Sequence, residues 1–131
     1  MSAKSPPLSG VYFRFLQLSR SLAANSETAL SANERVLLEY IVLAWHEQSP
    51  MAVRDAIVLG ELGSPATLHK RVIQLRTLGF LEVLPDPSDR RTKLLVPTEK
   101  ALHYFEQLGR AMALQSMNED MTAIYRDRAS R

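Results

Sequence analysis

SPATLHKRVIQLRTLGFLEVLPDPSDRRTKLLVPT, residues 64–98, decides how the rest of the chain is read. The Ser64 hydroxyl can accept from the free amides at a helix start. Pro65 has the fixed backbone angle and missing donor that suit a first turn, and Gly79 suits the stop after the last one. These bounds frame a helix of about four turns. Within it Leu68, Val72 and Leu75 recur at four and three residues and form a core face, with Leu78 and Phe80 closing the same side. Beyond Gly79, the runs Phe80-Leu81-Glu82-Val83-Leu84 and Thr92-Lys93-Leu94-Leu95-Val96 read as strands. They flank a polar turn, Pro85-Asp86-Pro87-Ser88-Asp89-Arg90-Arg91.

The other face of that helix carries Ala66, Thr67, His69, Lys70, Ile73 and Gln74. Small residues near a helix start allow close approach to a major groove, Thr67 and His69 can pair with base edges or phosphates, and Lys70 can reach guanine or backbone. An ordinary solvated face has a similar composition, and the hairpin that follows tips the balance. Arginines displayed on a narrow turn can enter a minor groove, where the phosphate potential favours a guanidinium. A free Asp89 carboxylate would repel phosphate, so the spacing predicts that it holds Arg91 by a charge-assisted hydrogen bond. A salt-bridged surface turn is the alternative. The candidate DNA contacts are therefore Ser64, Ala66, Thr67, His69, Lys70 and Gln74 on the helix, and Asp89, Arg90, Arg91 and Lys93 on the hairpin.

Charge distribution points the same way. The whole chain has a net charge of only +2 and an isoelectric point near 9.2. Between Ser64 and Lys93, however, Lys70, Arg71, Arg76, Arg90, Arg91 and Lys93 outnumber Glu82, Asp86 and Asp89, so the excess positive charge sits in this segment. With 131 residues, 46% of them hydrophobic, the chain can bury a core as one domain, residues 1–131. The absence of cysteine removes disulfides, thiolate metal sites and thiol nucleophiles. Met1 to Ser9 lacks the apolar centre of a signal peptide, and no run is long enough to span a membrane. The expectation is a soluble, cytoplasmic protein with no membrane partner.

Working towards the N-terminus, Gly60-Glu61-Leu62-Gly63 is a tight connection of the helix-turn-helix kind. Val53, Ala56, Ile57 and Leu59 suit a short helix that stops at Gly60, and Met51 to Val53 suits a brief strand. Ser31 and Glu34 predict a capping box in which the hydroxyl and the carboxylate each satisfy a free amide. The helix they open continues through Leu37, Tyr40, Ile41, Ala44 and Trp45 to about Glu47, where Ser49-Pro50 ends it. Leu8, Val11, Tyr12, Phe15, Leu16, Ser19 and Leu22 predict a first amphipathic helix over about 9–24, followed by a polar loop from Asn25 to Ala29. Towards the C-terminus, Ala101, Leu102, Phe105, Leu108, Met112 and Leu114 predict a long helix. Ser116 with Glu119 predicts the start of a further one containing Met121, Ile124 and Tyr125.

Taken together, Ser64-Pro65-Ala66-Thr67-Leu68-His69-Lys70, the Leu75 to Gly79 spacing, the Asp89-Arg90-Arg91 hairpin and the Thr98-Glu99-Lys100 helix start resemble the winged helix-turn-helix of the MarR (multiple antibiotic resistance regulator) family over about residues 31–105. The resemblance implies a homodimer on a pseudo-palindromic operator, with each recognition helix in a major groove and each wing arginine in a minor groove. On that basis Ala66, Thr67, His69 and Lys70 match groove-facing positions, Asp89 the wing aspartate and Arg91 the wing arginine. Pro97 and Ala101 replace the family's usual leucine and glycine. Pro97 fits the end of an edge strand and Ala101 favours helix.

The expected architecture is mainly α with a small β-hairpin wing. A winged helix-turn-helix at about 31–97 is flanked by dimerisation helices at about 9–24 and 98–128, because one winged domain cannot hide all the apolar surface of the ends. A four-helix bundle within one chain is the alternative. Tyr12, Trp45 and Tyr104 could line a pocket for a small apolar or aromatic effector, as the resemblance suggests, although aromatics at helical spacing also serve as core. His103 and Glu106 share a helix face without further clustered ligands, so neither a metal nor a cofactor is expected. The five glycines form neither a phosphate loop nor a nucleophile elbow, which argues against an enzyme. The expected function is transcriptional regulation through sequence-specific binding of duplex DNA, by repression rather than activation. A winged-helix protein-interaction module, or an effector- or metal-binding protein with little DNA affinity, is the alternative.

Overall fold

A computed structural model describes residues 8–25 and 30–129, with side chains described for 8–21 and 30–114. The elements in chain order are α1 (Ser9–Asn25), α2 (Ala32–His46), α3 (Val53–Ala56), α4 (Pro65–Thr77), β1 (Leu81–Asp86), β2 (Asp89–Pro97) and α5 (Glu99–Ala129). The chain divides into two compact units, one formed by Thr28–His103 and the other by the segments Met1–Glu27 and Tyr104–Arg131. Of the loop expected from Asn25 to Ala29, Asn25 instead ends α1, and residues 26–29, with the side chains of Leu22, Met121, Ile124 and Tyr125, lie outside the described residues.

In the first unit, Leu37, Leu38 and Ile41 of α2 and Leu68, Val72 and Leu75 of α4 are buried, together with Phe80, Leu81, Leu95 and Ala101. In α4 the predicted spacing is the one buried; in α2 Leu37 and Ile41 are buried as predicted, but Leu38 and Val42 complete the core face, while Tyr40 is exposed and Ala44 and Trp45 are half-buried. β1 and β2 pair antiparallel, from Leu81 opposite Pro97 to Pro85 opposite Lys93, and the register shifts before Asp86 meets Asp89. A single antiparallel bridge joins Ala52 to Leu94, and the Leu95 amide donates to the Met51 carbonyl at 2.8 Å. The brief strand expected at residues 51–53 is thus one bridge long.

Several local expectations change form. The Ser31 hydroxyl accepts from the Glu34 amide at 3.1 Å, but the Glu34 carboxylate accepts from that hydroxyl at 2.9 Å, so the box closes side chain to side chain. Helix α2 stops before Pro50 is reached, because Gln48 takes a left-handed conformation (φ 64°) and Ser49 donates back to the Ala44 carbonyl. Helix α3 is a single turn that ends at Ala56. Asp55 opens it by accepting from the Ala52 amide at 3.3 Å, and the β-branched pair Ile57 and Val58 does little to prolong it.

Thr98 fastens the hairpin to α5. Its hydroxyl donates to the Gly79 carbonyl and accepts from the Ala101 amide, so one side chain caps α5 and secures the turn after α4. Helix α5 then runs unbroken to Ala129, correcting the expectation of a new helix at Ser116. No glycine or proline lies between Met112 and Met121, so helix propagation outweighs a cap that would need the backbone to leave helical angles.

In the second unit, Ser19, Tyr104 and Leu108 are buried, whereas Leu8, Val11, Tyr12 and Phe13 of α1 are exposed. Glu106 is taken by Arg110 at 3.1 Å, four residues on along α5.

Candidate nucleic-acid interface

The site is built on α4. The Ser64 hydroxyl accepts from the Thr67 amide at 3.3 Å and donates to the Thr67 hydroxyl at 2.9 Å. Both hydroxyls are thereby spent on the helix start, except that the Thr67 proton remains available to an outside acceptor. With Leu68, Val72 and Leu75 turned inward, Ala66, His69, Lys70, Ile73 and Gln74 stand exposed on the opposite side.

The approach to α4 is held by a residue counted in the basic segment but spent on structure. Arg71 donates from Nη1 to the Leu62 carbonyl at 2.9 Å. Gly63, at φ 153°, lets the chain pass, and a β-carbon there would stand 3.4 Å from that guanidinium nitrogen. The far end of α4 closes at Gly79 (φ 84°), where the Phe80 amide returns to the Leu75 carbonyl at 2.9 Å and Lys100 donates to the Leu78 carbonyl at 2.7 Å.

The hairpin is longer and tighter than the spacing predicts. Arg90 and Arg91 belong to β2 rather than to the turn, which is reduced to Pro87 and Ser88. Asp86 makes this turn by accepting from the Ser88 amide at 2.9 Å and the Ser88 hydroxyl at 2.8 Å. Asp89 does not hold the Arg91 guanidinium. Its carboxylate accepts instead from the Arg91 amide at 3.1 Å and the Thr92 hydroxyl at 3.1 Å, because an aspartate reaches the backbone two residues on more readily than it spans to a long side chain. It therefore fixes the backbone from which Arg91 projects.

The Ser88 amide and hydroxyl hold the Asp86 carboxyl below its ordinary range. A depressed carboxylate stabilises the folded turn above its unfolded pKa of about 3.9 and loses that contribution as pH falls through the lower folded value. We expect the Ser88 amide resonance to titrate below the ordinary carboxylate range while core resonances stay constant. Titration at the ordinary value would show that the turn is not held in this way.

Between α3, α4 and the hairpin lies an open groove of about 710 Å³. Arg54, His69 and Arg76 line it from the helices, and Arg91, Thr92 and Lys93 from β2. Of the residues predicted from sequence, the groove thus gathers His69, Arg91 and Lys93. Ser64, Ala66, Thr67, Lys70 and Gln74 lie elsewhere on α4, and Asp89 and Arg90 lie beside the turn, outside the groove lining. Arg54 and Arg76 are additions. Arg76 follows His69 by seven residues, two helical turns along one face, a signal present in the spacing; no local pattern marks Arg54.

The aromatic residues considered for an effector separate. Tyr12 lines an apolar groove of about 400 Å³ with Leu8, Val11, Phe15 and Met112. Tyr104 is buried with its ring edge-on to Phe105, at 5.3 Å between centroids, and does not line that groove. Trp45 belongs to the other unit, on α2, and is half-buried.

No protein-family model matches the sequence, and no curated protein does. Solved structures do match. The transcriptional regulator Tm0710 from Thermotoga maritima is 22% identical, with a TM-score of 0.65 over 88% of this chain and 75% of its own. Staphylococcus aureus MepR, in a structure described as a DNA complex, is 15% identical, with a TM-score of 0.60 over 94% of this chain and 95% of its own. The multiple antibiotic resistance repressor MarR is 18% identical, with a TM-score of 0.55 over 92% of this chain and 84% of its own. The chain has the MarR-type winged-helix fold. In this winged helix α4 stands at the recognition-helix position, β1 and β2 form the wing, and the cationic groove lies between them.

Proposed function

We propose that the protein is a transcriptional regulator that binds duplex DNA sequence-specifically as a homodimer and represses by occupying promoter DNA in the cytoplasm. The observation that carries this reading is the exposed polar face of α4 beside a wing whose Arg91 and Lys93 share a groove with His69. Lys70, Arg90 and Arg91 are exposed, and among the described residues they form no ion pairs, as a surface that meets phosphate requires. A winged-helix protein-interaction module is favoured by intramolecular pairing of these residues, and that pairing is absent among the described residues. The MepR structure solved with DNA supports the same use of the fold.

The proposed division of labour places DNA reading in residues 31–97 and dimerisation in α1 and α5. Support for the second part comes from the exposed Leu8, Val11, Tyr12 and Phe13, an apolar surface that a second copy would cover. The groove at Tyr12 also has the apolar lining that a small aromatic effector would need.

Selection of bound fragments from genomic DNA, followed by titration against the selected duplex, tests the reading. Arg91→Ala should weaken binding by about 1–3 kcal/mol and flatten its salt dependence. Asp89→Ala should weaken binding too, although it removes a negative charge, because the backbone beneath Arg91 loses its tie. Tighter binding by the Asp89 variant would mean that the carboxylate acts through its charge alone. Lack of duplex binding at low salt by the unsubstituted protein would reject the proposal.

A further inference from the structure

Arg54 and Arg76 share a groove with Arg91 and Lys93 but no sequence motif. None of the four forms an ion pair among the described residues, and no carboxylate lines the groove. Glu82 lines a neighbouring cleft that Arg76 also borders, and the aspartates nearby in sequence are bonded to amides or hydroxyls. Asp55 accepts from the Ala52 amide, Asp86 from Ser88, and Asp89 from the Arg91 amide and the Thr92 hydroxyl. Four cations around one concavity repel one another, and the described residues offer no counter-charge inside it. An external polyanion relieves that repulsion.

The rest of the lining identifies the kind of contact. Ala52, Val53, Ile57, Val83 and Pro85 offer no polar side-chain group for reading a base edge, the Thr92 hydroxyl proton is given to Asp89, and His69 belongs to the exposed face of α4, where base reading is already placed. Guanidinium groups match phosphate oxygens through their fork of donors, and a lysine adds a mobile point charge. We infer that Arg54 and Arg76, with Arg91 and Lys93, form a seat for a run of DNA backbone phosphates between α4 and the wing. This seat adds backbone affinity beside α4 and carries no sequence preference of its own. The inference rests on the DNA-binding reading above.

The test is fluorescence anisotropy with a selected duplex and a random duplex between about 50 and 200 mM salt, using the full chain and its R54Q/R76Q variant. Each phosphate contact contributes about 0.9 to the slope of log K against log salt, so the double variant should lower that slope by about 1.8 per protomer and about 3.6 for a homodimer on its operator. The preference for the selected over the random duplex should stay unchanged. R54K/R76K, which keeps both charges, should retain most of the slope. Thermal melting checks that each variant is folded. An unaltered slope in folded R54Q/R76Q, with normal binding by the unsubstituted protein, overturns the seat and leaves the DNA reading standing. So does loss of the preference at constant slope, which would put these arginines on base edges. If R54Q/R76Q fails to fold, loss of slope in folded R54K/R76K overturns the seat by itself. Absence of salt-dependent binding by the unsubstituted protein overturns both readings together.

Discussion

Phe80→Ala is expected to destabilise the winged unit by about 3–5 kcal/mol, the range for removing a buried phenyl ring without refilling its space. Phe80 is 1% exposed and stands where three elements are joined. Its amide donates to the Leu75 carbonyl at the end of α4, and its carbonyl accepts from the Thr98 amide at the entry to α5. The Lys100 ammonium lies 4.8 Å from the centre of its ring. The backbone bonds can survive the substitution, so the loss measures the ring and the cavity it leaves. Domains of this size have a net stability of about 5–15 kcal/mol, so the substitution removes a large share of that margin and lowers the urea midpoint accordingly. Urea denaturation checks this, with Leu84→Ala as the comparison. Leu84 is 48% exposed, and truncating it should change stability by no more than about 0.5 kcal/mol. Equal effects of the two substitutions would mean that Phe80 is not a core residue.

Truncation after Glu106 is expected to give a monomer whose affinity for a palindromic operator falls by about 100-fold or more, the gain that linking two binding events ordinarily supplies. The unit Thr28–His103, which holds α4 and the wing, remains in this variant. Each remaining copy can make one set of groove contacts. Two recognition helices can address one face of DNA only if they are held about 34–36 Å apart, one helical turn, and the winged unit alone has no surface assigned to that task. Light scattering gives the oligomeric state, and titration against whole and half operators gives the coupling. A monomeric full chain that binds a palindrome tightly would remove the two-fold mode of recognition. Equal half-site affinity in the full and truncated chains would show that the loss comes from dimerisation and not from damage to α4.

These two effects originate at different levels of the chain. The first was legible from residues 64–98, because helix capping and the glycine stop act over a few residues. Ser64 caps α4 as its hydroxyl predicts. Gly79 closes the helix in the left-handed region. The buried positions Leu68, Val72, Leu75 and Phe80 follow from a period that geometry imposes on any helix. The paired strands and the polar side of α4 follow by the same local reasoning.

Where two partners compete for one side chain, local reasoning fails. Asp89 can reach either the Arg91 guanidinium or the Arg91 amide, and the pairing of Asp86 with Asp89 across the tight turn holds the amide in place. Arg71 looks like any other cation on α4, yet its contact with the Leu62 carbonyl, nine residues earlier, makes it a brace for the turn. Asp55, by accepting from Ala52, opens α3, which stops after a single turn although the apolar pattern continues to Leu59.

The order of the elements, the core face of α4 and a basic segment are legible in the sequence, since backbone capping, helical periodicity and charge are properties of neighbours along the chain, whereas packing put Leu38 and Val42 rather than Tyr40 in the core face of α2. Only the tertiary structure decided that Arg54 and Arg76 join Arg91 and Lys93 around one groove. Residues 54 and 91 are brought together by the packing of α3 and α4 against the hairpin and by the bridge from Ala52 to Leu94. A groove shared by residues so far apart depends on how separate elements bury their apolar faces, and no short window of sequence encodes that arrangement.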